Sequence, residues 1–181
     1  MNTFKELVKS RRSIRSYLGR RIDPEKLELC AEAALYSPSA CNSQPWKFII
    51  VNDNSAKEKM RSSVFSGLYN MNSFASNAAA YIVLISKKTK LPASIAGYLM
   101  RTDFRQIDLG IACSNIVLQA EDLGIGSCIL GWFDQRAARR ILNIPRLVNI
   151  DLIIALGYTD QGPSSERRLK DRDETVSYDR Y

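Results

Sequence analysis

Three arginines and a serine fall within five residues, Arg11-Arg12-Ser13-Ile14-Arg15. Guanidinium forks match phosphate oxygens in pairs and the hydroxyl adds a short hydrogen bond, so the natural guest of such a segment is a phosphomonoester. The same residues would also make an ordinary solvated basic turn. A second segment, Ser37-Pro-Ser-Ala-Cys-Asn-Ser-Gln-Pro-Trp46, is stiffened by Pro38 and Pro45, with small side chains between them. Such a loop can press backbone and amide donors against a flat polar ligand. Its plainer reading is a helix stop and strand entry, with Asn42 and Ser43 as turn residues.

Composition removes several other chemistries. The chain has 181 residues and no histidine, which excludes Ser-His-Asp and Cys-His nucleophile systems and every His-ligated metal site. Cys30, Cys41, Cys113 and Cys128 include no Cys-x-x-Cys pair, so buried free thiols are expected and a metal is not. The stretch Gly124–Asp134 is glycine-rich, but Ile129 stands where a dinucleotide fingerprint needs glycine, and the order is helix then strand. Residues 1–21 hold seven basic side chains against Glu6 alone, which is nearly all of the net charge of +7. A nucleic-acid binder spreads its basic residues along a face; charge concentrated beside one short segment points to a compact anion. No apolar run reaches the ~18 residues of a membrane span, and the first residues do not read as a signal peptide. A soluble, cytoplasmic protein without membrane or nucleic-acid partners is the expectation.

The elements that must position these segments follow from periodicity and punctuation. Phe4, Leu7 and Val8 suggest a helix ending near Arg11; Asp23-Pro24 opens another, with Leu27, Cys30, Ala31, Ala34 and Leu35 as its apolar residues. Short strands are expected at Lys47–Val51, Tyr81–Ser86, Ser127–Leu130 and Ile150–Leu156, and further helices at Ala56–Phe65 and Gln135–Leu142. Lys87–Pro92 reads as a charged loop. The longest helix, about Asp103 to Leu123, has two apolar stripes, one through Leu109, Ala112, Cys113, Ile116, Val117, Ala120 and Leu123, the other through Phe104, Ile107, Ile111 and Leu118. Those stripes lie on roughly opposite sides, so burial on two faces is expected, with Gly110 open to a close backbone and Gly124 ending the helix. From Gly162 the tail is highly charged, and Thr175–Tyr178 alternates like a strand in need of a sheet edge, on another chain where its own offers none. No linker divides the chain, so residues 1–181 form one domain of mixed helix and strand.

Four segments in this order resemble the nitroreductase superfamily of flavin enzymes: Arg11–Arg15, Ser37–Trp46, Asp108–Asn115 running on through Leu123–Cys128, and Ile154–Tyr158. The resemblance implies an α+β fold with a central mixed sheet flanked by helices, and a homodimer that exchanges C-terminal tails and binds FMN at its interface. It implies that Arg11, Arg12, Ser13 and Arg15 serve the phosphate and pyrimidine side, and that Pro38, Ser39, Ala40 and Asn42 reach the ring from the other subunit. Leu130, Gly131 and Trp132 would turn backbone amides towards flavin N5 and O4. Asn70 and Asn72 are both candidates for a further ring contact, with Asn72 carried forward, and Arg168 and Lys170 would return to the phosphate. The activity implied is ping-pong hydride transfer from NAD(P)H through flavin N5 to a small electron-poor acceptor (a nitroaromatic, quinone or conjugated carbonyl), with no catalytic side chain required. Residues Ser66–Thr102 would shape the acceptor pocket, with Tyr69, Phe74 and Tyr98 as aromatic walls or as local packing. A flavin or nucleotide sensor without turnover is the alternative.

Overall fold

In the computed structural model, residues 3–88, 90–161 and 167–181 are described; the start of the charged tail, residues 162–166, lies outside them. Helix α1 (Phe4–Ser10) opens with a capping box between Thr3 and Glu6, and α2 (Pro24–Leu35) with Asp23 accepting from the Glu25 amide. Strand β1 (Trp46–Val51) leads to α3 (Asn54–Ser63), capped by Asp53, and a 3-10 winding at Gly67–Asn77 leads to β2 (Ala80–Ser86). Helices α4 (Leu91–Met100) and α5 (Phe104–Asp122) precede β3 (Gly126–Leu130), α6 (Gln135–Ile141), β4 (Leu152–Gly157) and a last turn, α7 (Arg172–Thr175).

The strands form one sheet in the order β1-β2-β4-β3. Every ladder in it is antiparallel. The parallel component implied by a mixed sheet is confined to an isolated bridge between Ser13 and Ser127. Period-two alternation divides the core. Ala80, Ile82 and Leu84 of β2 join α2 and α5 on one face, while Tyr81, Val83 and Ile85 join α3 and α6 on the other. Helix α5 buries the first of its two stripes completely enough to anchor that face. The second stripe is open: Ile107 is 50% and Ile111 36% exposed, and nothing lies within 4 Å of a side chain placed at Gly110. Gly124 takes φ +70° as the residue that ends α5.

Two expectations about local structure are corrected. The loop at Lys87–Pro92 stops at Lys90, because Pro92 sits in the first turn of α4 where its missing N–H costs nothing. That helix is almost wholly apolar, so it carries no two-sided pattern from which to read it. Thr175–Tyr178 is not a strand in this chain: Thr175 closes α7, whose Asp171 cap accepts from the Asp173 amide, and Val176 and Tyr178 are exposed.

One close approach positions everything that follows. Gly126 and Gly157 face each other across β3 and β4. A Cβ at Gly126 would meet Ile14 Cγ1 at 2.9 Å, and one at Gly157 would meet Tyr17 Cδ1 at 2.6 Å. Residues 14–17 therefore lie directly on the sheet, tied by the Ile14 amide donating to Ser127 O at 2.9 Å and the Leu18 amide to Tyr158 O at 2.8 Å. Gly157→Ala is expected to destabilise the fold by about 1–3 kcal/mol through overpacking against Tyr17, measured by urea unfolding; an unchanged midpoint would refute the contact.

Candidate active site

The bridge to β3 turns Arg12, Ser13 and Arg15 into one wall of a cleft of about 540 Å³, closed by Glu121, Gly126 and Thr159. The Arg12 guanidinium donates to the main-chain carbonyls of Lys9, Ser10 and Arg11. Arg15 donates to Ser13 O at 3.4 Å and lies over the Phe74 ring, 5.9 Å from its centroid. Arg11 is half-buried, and that burial, with the nearby charges of Arg167 and Arg12, lowers its pKa, Glu121 opposing the shift. Among the described residues none of these three arginines makes an ion pair. Guanidiniums gathered without acid partners beside a hydroxyl are a fitting cradle for a phosphate group.

Along β3 from the bridge at Ser127, the strand ends at Leu130, and the Gly131 and Trp132 amides beyond it donate to no acceptor among the described residues. Five residue steps separate Ser127 from Trp132, about 16 Å along an extended chain. The 3-10 winding folds over this end. Asn72 Nδ2 donates to Trp132 O at 2.7 Å, Trp132 Nε1 donates to Leu68 O at 3.2 Å, and the Tyr69 and Trp132 rings are 5.3 Å apart. Of the two asparagines in question, Asn72 is thus the one joined to this strand end, while Asn70 is exposed. Tyr69 and Phe74 belong to the site as packing for Trp132 and Arg15. Tyr98 lies elsewhere, 85% exposed on α4.

The Pro38–Asn42 loop is not at this cleft. It folds as a single 3-10 turn, Ala40–Asn42, with Cys41 at φ 53°, Asn42 at φ 49° and Gln44 at φ 48°. The Ala40 amide donates to both carboxylate oxygens of Asp108, near the start of α5, whereas Glu121 of the arginine cleft is near its end. Thirteen residues of helix separate them, about 20 Å. Lys90 ties the turn to α4, its amide donating to Ser43 Oγ at 3.3 Å and its Nζ to Cys41 O at 3.4 Å.

In the tail, Arg168 and Lys170 are exposed, and the residue whose charge reaches Arg11 is their neighbour Arg167. A dense basic run marks the tail but carries no periodicity that would single out one member. Sequence reasoning also passed over Asp108, although an acid set into an apolar helical stripe was the available signal. Cys30, Cys113 and Cys128 are buried as expected and Cys41 is exposed; burial pushes the Cys30 and Cys113 thiols up to about 12.

With this geometry in place, the chain belongs to the nitroreductase family, whose model matches residues 8–158. It is 34% identical over 181 residues to an Archaeoglobus fulgidus protein provisionally named NADH dehydrogenase/NAD(P)H nitroreductase, covering 97% of this chain and 94% of that one. It is 26% identical to the NADPH-flavin oxidoreductase of Vibrio harveyi over 93% of this chain and 71% of the other. Among solved structures, an FMN-dependent nitroreductase of Clostridium difficile superposes with a TM-score of 0.73 at 28% identity, covering 97% of this chain and 98% of its own.

The folded protein should present one fast-reacting thiol of its four to Ellman's reagent, and all four in denaturant. Cys41→Ser should abolish the fast phase; a fast phase that survives would mean that one of the buried thiols is open.

Proposed function

We propose that this chain is an NAD(P)H-dependent flavin oxidoreductase that holds FMN as a homodimer and reduces small electron-poor acceptors by two electrons in a ping-pong cycle. The observation that carries this reading is a set of arginines without ion pairs among the described residues, joined by one strand to the Gly131 and Trp132 amides, which donate to no acceptor among those residues. Bound FMN supplies a ring that takes up a hydride from one substrate and delivers it to the next. The protein's task is then to bind and orient. Arg11, Arg12 and Arg15 with Ser13 hold the phosphate, and Phe74 keeps Arg15 in place. Asn72 fixes the Trp132 carbonyl, so the Gly131 and Trp132 N–H groups remain directed at the ring. Family membership and the names of the relatives support the donor and the cofactor.

The homodimer is supported by the separation of the two site segments along α5 and by that helix's open apolar stripe. Pro38, Ser39, Ala40 and Asn42 of one copy then complete the site of the other, and the exposed tail with Arg168 and Lys170 embraces the partner. Helix α4 is tied to the loop through Lys90 and lines a cleft of about 1010 Å³ with Leu91, Tyr98 and Phe104. Its aromatic rings, beside the cations of Lys88, Arg101 and Arg105, suit flat, electron-poor nitroaromatic, quinone or conjugated carbonyl acceptors.

Purified protein should be yellow and release FMN, not FAD, on denaturation. Anaerobic NADH or NADPH should bleach it, and an electron-poor acceptor should restore the colour. Colourless protein that takes up no added FMN would overturn the reading; coloured protein that neither nucleotide bleaches would be a flavin-binding protein without turnover. Sedimentation and flavin absorbance across one dilution series should fall together, and a monomer that keeps its FMN would remove the interface site.

Arg15→Ala should weaken FMN binding by about 1.5–3 kcal/mol, the range for a charge-assisted phosphate contact. Calorimetric titration measures this, and an unchanged affinity would take Arg15 out of the site.

A further inference from the structure

Two polar residues interrupt the buried side of α5, and neither is accounted for by holding FMN's phosphate. Asp108 is 4% exposed, and its carboxylate oxygens lie 3.1 and 3.2 Å from the Ala40 amide. Among the described residues it has no Lys or Arg within ion-pair distance. A carboxylate withdrawn from water with one N–H partner is an expensive way to hold a loop, unless the strength of a charge-assisted bond is what the loop requires. Asn115 stands seven residues further on, two helical turns, and so on the same face. Its Nδ2 donates to the Oγ of buried Ser37 at 2.8 Å.

The turn Ala40–Asn42 closes on itself through the Asn42 amide donating to Ser39 O at 2.9 Å and the Ser43 amide to Ala40 O at 3.0 Å, but its first amide, that of Ala40, is left to a partner outside the turn. Ser39, at the N-cap position, gives no side-chain bond to the turn's amides; its Oγ accepts from the Gln44 amide at 2.9 Å. Cys41, Asn42 and Gln44, none of them glycine, all occupy the left-handed region. Such a backbone persists only where its surroundings fix it. Asp108 supplies the missing cap from a helix 68 residues away in sequence, and Asn115 pins the entry to the loop.

We propose that Asp108 and Asn115 are positioning residues for the flavin reaction: from two successive turns of α5 they set the height and rigidity of Ser37–Asn42, and through it the fit of the ring and of the acceptor beside it. The proposal rests on the flavin reading above. It explains why Asp108 and Asn115 bracket the segment Asp108-Leu-Gly-Ile-Ala-Cys-Ser-Asn115, whose other members are core, open helix surface or Gly110.

The test compares full-length, FMN-loaded wild type with Asp108→Ala and Asp108→Asn. The carboxamide oxygen introduced by Asp108→Asn can still accept from the Ala40 amide, so that variant serves as the conservative rescue. Asp108→Ala should raise the FMN dissociation constant about tenfold, the range for one lost charge-assisted hydrogen bond. It should also shift the visible flavin band and raise the acceptor KM several-fold, with kcat within about twofold. Asp108→Asn, which keeps an acceptor for the Ala40 amide but not the charge, should restore the band and the KM in part. Hydrogen exchange at the Ala40 amide, read with or without FMN, should quicken in Asp108→Ala and lie between that rate and the wild-type one in Asp108→Asn. A lower melting temperature in Asp108→Ala with wild-type flavin band and KM would reduce Asp108 to a fold-stabilising residue and overturn the proposal. Where Asp108→Ala does not fold, Asn115→Ala and Ser37→Ala must move the same band and KM; unchanged values overturn it. A wild type that binds no FMN would fail the flavin reading alone, and the exchange rates at Ala40 would still report whether Asp108 holds the loop.

Discussion

The arginine segment can lie on the sheet only because two facing strand positions have no side chains. Gly126 and Gly157 are partners in the β3–β4 ladder, and Ile14 and Tyr17 occupy the space above them. Tyr17 completes the contact by donating its hydroxyl to Ile14 O at 2.8 Å and Ala155 O at 3.3 Å, and burial raises its pKa, so the phenol keeps the proton it donates. Once Ile14 and Tyr17 are pressed inward, Arg15 between them is left to the cleft, with Arg12 and Ser13 preceding it on the same wall. The position of Arg15 is thus decided by an absence of atoms beneath its neighbours.

Helix α5 imposes the second constraint. One face supplies core to the sheet and α2, another receives the Ser37–Asn42 loop through Asp108 and Asn115, and a third leaves Ile107 and Ile111 open. The loop sits near its beginning and the arginine cleft near its end. A rigid helix fixes that spacing. The bonds from Asp108 and Asn115 tie the loop's height to the helix.

Most elements were legible in the sequence because their signals are local. Asp23-Pro24 marks a helix start by chemistry that acts within one turn, and Asp23 caps α2 as expected; Asp53 and Asp134 cap α3 and α6 by the same chemistry. Arg12, Ser13 and Arg15 could be grouped from the sequence because they are near neighbours in the chain, and they share one cleft wall. What escaped is what depends on partners distant in sequence. The purpose of Gly157 is set by Tyr17, and that of Asp108 by Ala40, neither of which can be inferred from its own neighbourhood. Helix α4 escaped for a different reason: Leu91–Met100 is apolar around its circumference, so no stripe distinguishes its buried side. The Thr175–Tyr178 alternation misled because period two over four residues is weaker than the Asp171 cap preceding it.

The cleft's electrostatics finally link binding to folding. Arg11 is partly withdrawn from water, which together with the nearby charges of Arg167 and Arg12 lowers its pKa, while Glu121 and Cys128 oppose the shift. A lowered pKa means that the folded chain holds this proton less firmly than free arginine does, so gathering these charges works against folding while the cleft holds no anion. A phosphate placed among them reverses the sign: each guanidinium that repelled its neighbours now has a partner, and Ser13 adds a neutral donor. The segment from Arg11 to Tyr17 is held from below by the Ile14 and Tyr17 contacts and would be drawn together from above by an anion bound there. Binding that favours the folded chain in this way stabilises it by mass action, most strongly where the unliganded repulsion is greatest. An arginine cluster with few acid partners is thus a weak point of the empty fold and the strongest grip of the filled one.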